Sequence, residues 1–139
     1  MIFVDTWAWV ALASEDDQYH ASASQAHLAL AKRRRRYITT NFVLGETITH
    51  LYRKQKPNEA RKYIEGLFQG ANKGSLQLID VSTLQFRRAW DLRQKYQDKP
   101  DISFVDFTSL VVMQDLGITD VFSGDAHFQQ VNLGFRLFP

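Results

Sequence analysis

The chain has 139 residues, enough for one domain with a buried core, and 45% hydrophobic against 23% charged residues marks it as globular rather than disordered. Its net charge is only +2, from 17 basic and 15 acidic side chains, so attraction to a charged partner must come from local distribution. Cysteine is absent, which excludes a disulfide scaffold, a thiol nucleophile and a thiolate zinc site. No apolar run approaches ~18 residues and no secretion signal is visible, so the expectation is a single cytoplasmic domain over residues 1–139, without a membrane span.

Ile2-Phe3-Val4 predicts a short strand buried on both faces. Asp5 then stands at its C-terminal end, the edge where open α/β folds bind ligands. Trp7 to Ala13 predicts a helix, broken by Ser14 to Asp17. A second helix is expected from about Tyr19 to Arg36, with Ala23, Ala26, Leu30 and Ala31 tracing one face. Tyr37-Ile38-Thr39 reads as the second strand, and Thr40 or Asn41 caps a helix from Phe42 to about Lys54. Pro57 opens another helix that ends before Gly70 to Gly74. Leu76 to Val81 predicts the third strand, and Ser82 or Thr83 caps a helix reaching Tyr96. After the loop Lys99 to Ile102, a helix runs from Phe104 to Leu116 and stops at Gly117. Asp120 to Ser123 reads as a strand ending, Asp125 to Gln130 as a helical turn or two, and Phe135 to Phe138 as a last strand. This alternation argues a three-layer α/β domain with a mostly parallel sheet.

Four carboxylates fall at suggestive places. Asp5, Asp106 and Asp125 stand at strand-to-helix or loop-to-helix transitions, and Glu46 lies one turn into its helix. Taken singly, each aspartate reads as a helix cap, and Glu46 reads as a partner of His50 or Arg53 on its own helical face. Taken together, they converge on one edge of a parallel sheet. Carboxylates gathered between apolar walls repel one another and are driven towards protonation. A divalent cation removes that conflict, and Mg²⁺ and Mn²⁺ prefer oxygen ligands. Without cysteine or paired histidines, such a site suits phosphodiester hydrolysis better than zinc chemistry.

The segments Ile2-Phe3-Val4-Asp5-Thr6, Asn41 to Glu46, Ser103 to Asp106 and Val121 to Phe128 resemble the PIN-domain ribonucleases, in particular the VapC-type toxins of toxin–antitoxin pairs. Asp17-Gln18-Tyr19-His20 is similar to the same family, and the likeness covers essentially the whole chain. It implies a PIN-like α/β/α sandwich with a mostly parallel sheet of four to five strands, and Mg²⁺- or Mn²⁺-dependent cleavage of RNA. The family's acidic quartet maps onto Asp5, Glu46, Asp106 and Asp125. Asp5 and Asp106 match the positions most often in direct contact with metal. Glu46 and Asp125 match positions that bind it directly or through water, and Thr6 and Ser123 match supporting hydroxyls. The resemblance also implies a homodimer and an antitoxin peptide laid across the active-site groove.

Lys32 to Arg36 is a run of five basic residues, read either as a solvated helix end or as an RNA contact through Arg33, Arg34 and Arg35. Arg53 is a further candidate RNA contact, with a surface ion pair as the alternative. Trp7, Trp9 and Trp90 read as packing or interface residues, and His20, His50 and His127 as packing, capping or supporting groups. Two other functions compete. A non-catalytic RNA- or protein-binding module on the same fold is disfavoured by the intact quartet. A haloacid-dehalogenase-type phosphatase needs an aspartate two residues after the first, where this chain has Trp7, and a receiver domain needs an acidic pair at its first strand, where this chain has one acid.

Overall fold

The computed structural model describes Met1 to Pro139. Five strands, β1 (Ile2–Val4), β2 (Tyr37–Thr40), β3 (Leu76–Ile79), β4 (Asp120–Phe122) and β5 (Arg136–Phe138), form one sheet in the order β3-β2-β1-β4-β5. Every pairing is parallel. Seven helices flank it: α1 (Thr6–Ala13), α2 (His20–Lys32), α3 (Asn41–Lys54), α4 (Pro57–Lys73), α5 (Thr83–Lys95), α6 (Phe104–Leu116) and α7 (His127–Gln130). None is long and apolar enough to cross a membrane.

Ile2, Phe3 and Val4 are fully buried, because β1 is the middle strand and helices cover both of its faces. The main core packs these residues against Phe107, Leu110 and Met113 of α6 and against Phe122 and Phe128. A smaller cluster of Val10, Leu44, Leu51, Ala60 and Ile64 ties α1, α3 and α4 together. The chain builds β1, β2 and β3 outward on one side and then returns to lay β4 and β5 on the other. The strand order therefore reverses between β1 and β4, and the crevice outside their C-terminal ends is the expected ligand site of such a fold.

The helix starts follow the capping signals. Thr40 caps α3 by accepting the Val43 N–H at 3.1 Å, while Asn41 accepts the Val81 N–H at 3.0 Å. Ser82 with Gln85, and Ser103 with Asp106, form reciprocal capping boxes. The second helix is the clear correction: it stops at Lys32 rather than at Arg36. Arg34 takes a left-handed conformation with φ of 53°, and the N–H groups of Arg34 and Arg35 turn back to the carbonyls of Ala31 and Leu30. This is the closing pattern that glycine usually provides, so an arginine there gave no stop signal.

Candidate active site

The C-terminal ends of β1 and β4 are locked together. Phe3 pairs with Val121 and Val4 with Phe122, and the Asp5 N–H donates to the Phe122 carbonyl at 3.2 Å. Ser123 extends the link: its hydroxyl donates to Asp5 Oδ2 at 3.0 Å and accepts the Asp125 N–H at 3.0 Å. Gly124 between them is required by a close approach, since a Cβ there would lie 2.4 Å from the Trp7 ring.

Asp5 occupies the position before α1, yet its carboxylate makes no capping bond. It is 3% exposed. Burial pushes its pKa up to about 7; the Asp106 charge adds to this, as does that of Glu46, while the Thr6 amide and the Ser123 hydroxyl pull it down. Asp106 does serve as a cap, with Oδ2 accepting the Ser103 N–H at 3.2 Å, and also faces the other acids. Its pKa is raised by burial and by the Asp125 charge, against the pull of Ser103 and His127. Asp125 is also held locally, through Oδ1 accepting the His127 N–H at 2.9 Å. Glu46 is half-buried and forms no ion pair with His50 or Arg53, so neither proposed partner is used.

These acids line one cavity of about 390 Å³, together with Thr6 and His127. The Thr6 hydroxyl oxygen is buried there without a hydrogen-bond partner. His127 Nδ1 stands 3.2 Å from Asp106 Oδ2 and 3.0 Å from Asp125 Oδ2, and one ligand-capable atom from each of these three residues lies within 4.8 Å of the others. The cavity thus concentrates hard oxygen donors, the imidazoles of His50 and His127 and one orphaned hydroxyl, and burial together with mutual repulsion raises two of its acids. That donor set fits Mg²⁺ or Mn²⁺, which take oxygen ligands and retain water.

All of the quartet, with Thr6 beside it, meets in this cavity, and Ser123 braces it from behind. The candidate RNA-binding arginines do not meet there. Arg33, Arg34 and Arg35 precede β2 at the opposite edge of the sheet, and Arg53 is exposed outside the cavity lining. Arg35 is engaged structurally, donating to the Met1 carbonyl and to Asp120 Oδ2, both at 2.8 Å. Sequence reasoning met Tyr19 only within the family-like segment Asp17 to His20 and gave it no role, and it did not single out Lys54, which lines the same cavity, nor the bridging position of His127. For His127 a signal exists, because an aspartate two residues before an N–H is the spacing of an Asx turn.

Comparison with known proteins bears on the family and the fold. A PIN-domain family profile matches residues 2–133. The chain is 31% identical over 134 residues to the 23S rRNA-specific endonuclease VapC20 from two strains of Mycobacterium tuberculosis, covering 92% of each chain. The crystal structure of M. tuberculosis VapC20, described as a sarcin–ricin loop cleaving toxin, superposes with a TM-score of 0.82 at 30% identity, covering 98% of this chain and 97% of that one.

Proposed function

The chain belongs to the PIN-domain family, among its VapC-type ribonucleases, and from that premise we propose that it is the toxin of a toxin–antitoxin pair, cutting RNA phosphodiester bonds in the cytoplasm with Mg²⁺ or Mn²⁺. The observation that carries the reading is the convergence of Asp5, Glu46, Asp106 and Asp125 on one cavity at the reversal point of the sheet. The relative's activity makes the sarcin–ricin loop of 23S rRNA the first substrate to test.

In this reading Asp5, Asp106 and Asp125 would hold the metal and Glu46 would complete the ligand set. A bound divalent ion supplies charge for the developing phosphoryl anion and lowers the pKa of a coordinated water. The chain's own residues do the positioning. Ser123 fixes one Asp5 oxygen by donating to it, and the Ser103 N–H fixes one Asp106 oxygen. Asp106 Oδ1 makes no hydrogen bond and stays available to a ligand. With both carboxylates ionised, which makes them acceptors only, His127 Nδ1 would donate between Asp106 and Asp125 and orient them together. The Thr6 hydroxyl has no partner in the chain, which supports a role for it as a donor or acceptor to bound water or substrate.

An antitoxin peptide in the acidic cavity completes the reading on the inhibitory side. The homodimer reading has support in an exposed aromatic face. Phe86 and Trp90 on α5 are 43% and 51% exposed, and Phe86 packs edge-on against Phe42 and Phe104.

The test is incubation of the purified protein with 23S rRNA and a sarcin–ricin stem-loop in Mg²⁺ or Mn²⁺, with and without EDTA, beside Asp5→Asn and Asp106→Asn. Cleavage is expected only with the ion and the native acids. Cleavage that survives both substitutions and the chelator would overturn the assignment.

A further inference from the structure

The cavity has a second wall that the acids do not account for. Glu46, His50 and Lys54 stand at successive i, i+4 positions on α3, and all three line the cavity. At 1.5 Å per residue, His50 and Lys54 lie about 6 Å and about 12 Å along the helix axis from Glu46. Neither has an anionic partner in the chain. The segment between α1 and α2 lines the same cavity with Asp17 and Tyr19. The Tyr19 ring is 45% exposed and rests on Trp7, with centroids 5.2 Å apart and planes tilted by 42°. Asp17 Oδ1 accepts the Tyr19 N–H at 2.8 Å and fixes the segment. Trp7 in turn fills the space that Gly124 leaves open, so the platform is braced by the loop that carries Asp125.

Resting on the ribonuclease reading above, we infer that Tyr19, His50 and Lys54 form the subsite for a nucleotide next to the cleaved bond. Tyr19 stacks its base, and His50 and Lys54 engage its phosphate. An unpaired lysine and an unpaired imidazole beside a cluster of acids call for an anionic ligand, and an exposed ring on a braced support calls for a flat one. An acidic peptide satisfies the first demand alone, whereas a nucleotide carries phosphate and π-face on one unit.

The test separates binding from chemistry. A fluorescent single-stranded oligoribonucleotide is titrated in EDTA, and cleavage is followed separately in Mg²⁺. Tyr19→Ala is expected to weaken binding about 10-fold, and Tyr19→Phe to retain it. Lys54→Ala should reduce the slope of log affinity against log salt by about 0.7, while Lys73→Ala at the far end of α4 leaves it unchanged. Both cavity variants should raise KM and leave kcat within about threefold. The subsite is overturned when the native protein binds and cleaves RNA but Tyr19→Ala and Lys54→Ala match it in affinity, salt slope and KM. It is also overturned when these variants lose affinity for an oligoglutamate peptide and not for RNA. Binding with the expected variant effects, but no cleavage, supports the subsite and defeats the ribonuclease reading instead.

Discussion

β1 and β4 lie side by side, and a buried aspartate stands at each end of the pair. Asp120 opens β4 and is 8% exposed; Asp5 follows β1 and is 3% exposed. Burial pushes Asp120 up, but hydrogen bonds and charges from Arg35 and Arg136, at 2.8 and 2.7 Å, outweigh it and hold the carboxyl below its usual range. Asp5 has no cation within reach, and burial with its acidic neighbours takes it up to about 7. At the Asp120 end the chain neutralises its own charge, and the aspartate serves the fold. At the Asp5 end the chain withholds the countercharge, so neutralisation must come from a ligand or a proton.

Substitution at the two ends should therefore have opposite consequences. Asp5→Asn and Asp106→Asn are expected to lower RNA cleavage by at least about 100-fold, since in the proposed reading each removes charge that acts on the reacting centre. Without divalent ions, Asp5→Asn should also raise stability, because it removes a buried charge and the repulsion around it. Asp120→Asn should preserve cleavage and lower stability by about 2 kcal/mol, leaving Arg35 and Arg136 short of a charged acceptor. Urea unfolding in EDTA beside cleavage assays measures both. A stability loss at Asp5 equal to that at Asp120 would mean that the Asp5 carboxylate serves the fold rather than a ligand.

The pH dependence separates the ends by sign. The folded-state pKa of Asp5 lies above its unfolded value, so its contribution to stability is full below about pH 4 and is lost as pH rises through about 7. Over that window the cost is on the order of 4 kcal/mol. Asp106 acts in the same direction. Asp120 is depressed, so its contribution is present above the ordinary aspartate value and is lost as pH falls through its lowered one. Metal-free protein should lose stability between pH 4 and 7, and Asp5→Asn should flatten that slope. Mn²⁺ at 100 times its Kd should restore about 2.7 kcal/mol at pH 8, and a slope or a Mn²⁺ effect that is the same in Asp5→Asn would remove Asp5 from the ion site.

The Asp5 end was largely legible in the sequence and the Asp120 end was not. Asp5, Asp106 and Asp125 each announce themselves as a lone acid at a transition between elements, and element order in a parallel sheet brings such transitions to one edge. Asp120 sits 85 residues from Arg35, and only the β1–β4 pairing brings them together. The same distance problem hid the platform: Tyr19 and Lys54 look like ordinary surface residues until the helices that carry them close around one cavity. The end of α2 was missed for a local reason, because a left-handed arginine closed the helix where the sequence offered no glycine.

That run gives the smallest effect and the most discriminating one. Arg35 is committed to Asp120 and Met1, which leaves Arg33 and Arg34 exposed at the edge opposite the acids. Strands of three or four residues put the two edges roughly 10–13 Å apart. A short oligoribonucleotide filling the acidic cavity does not bridge that span together with the helix ends beyond it, whereas a folded RNA does. The Arg33→Ala, Arg34→Ala double variant should therefore leave oligonucleotide binding and kcat unchanged and lower the salt slope for a structured RNA by about 1.8, or 0.9 per released contact on a duplex. An unchanged slope with structured RNA would make the run a solvated helix end. A changed kcat would mean that the two edges are coupled through the sheet, and the division of labour between Asp5 and Asp120 would have to be redrawn.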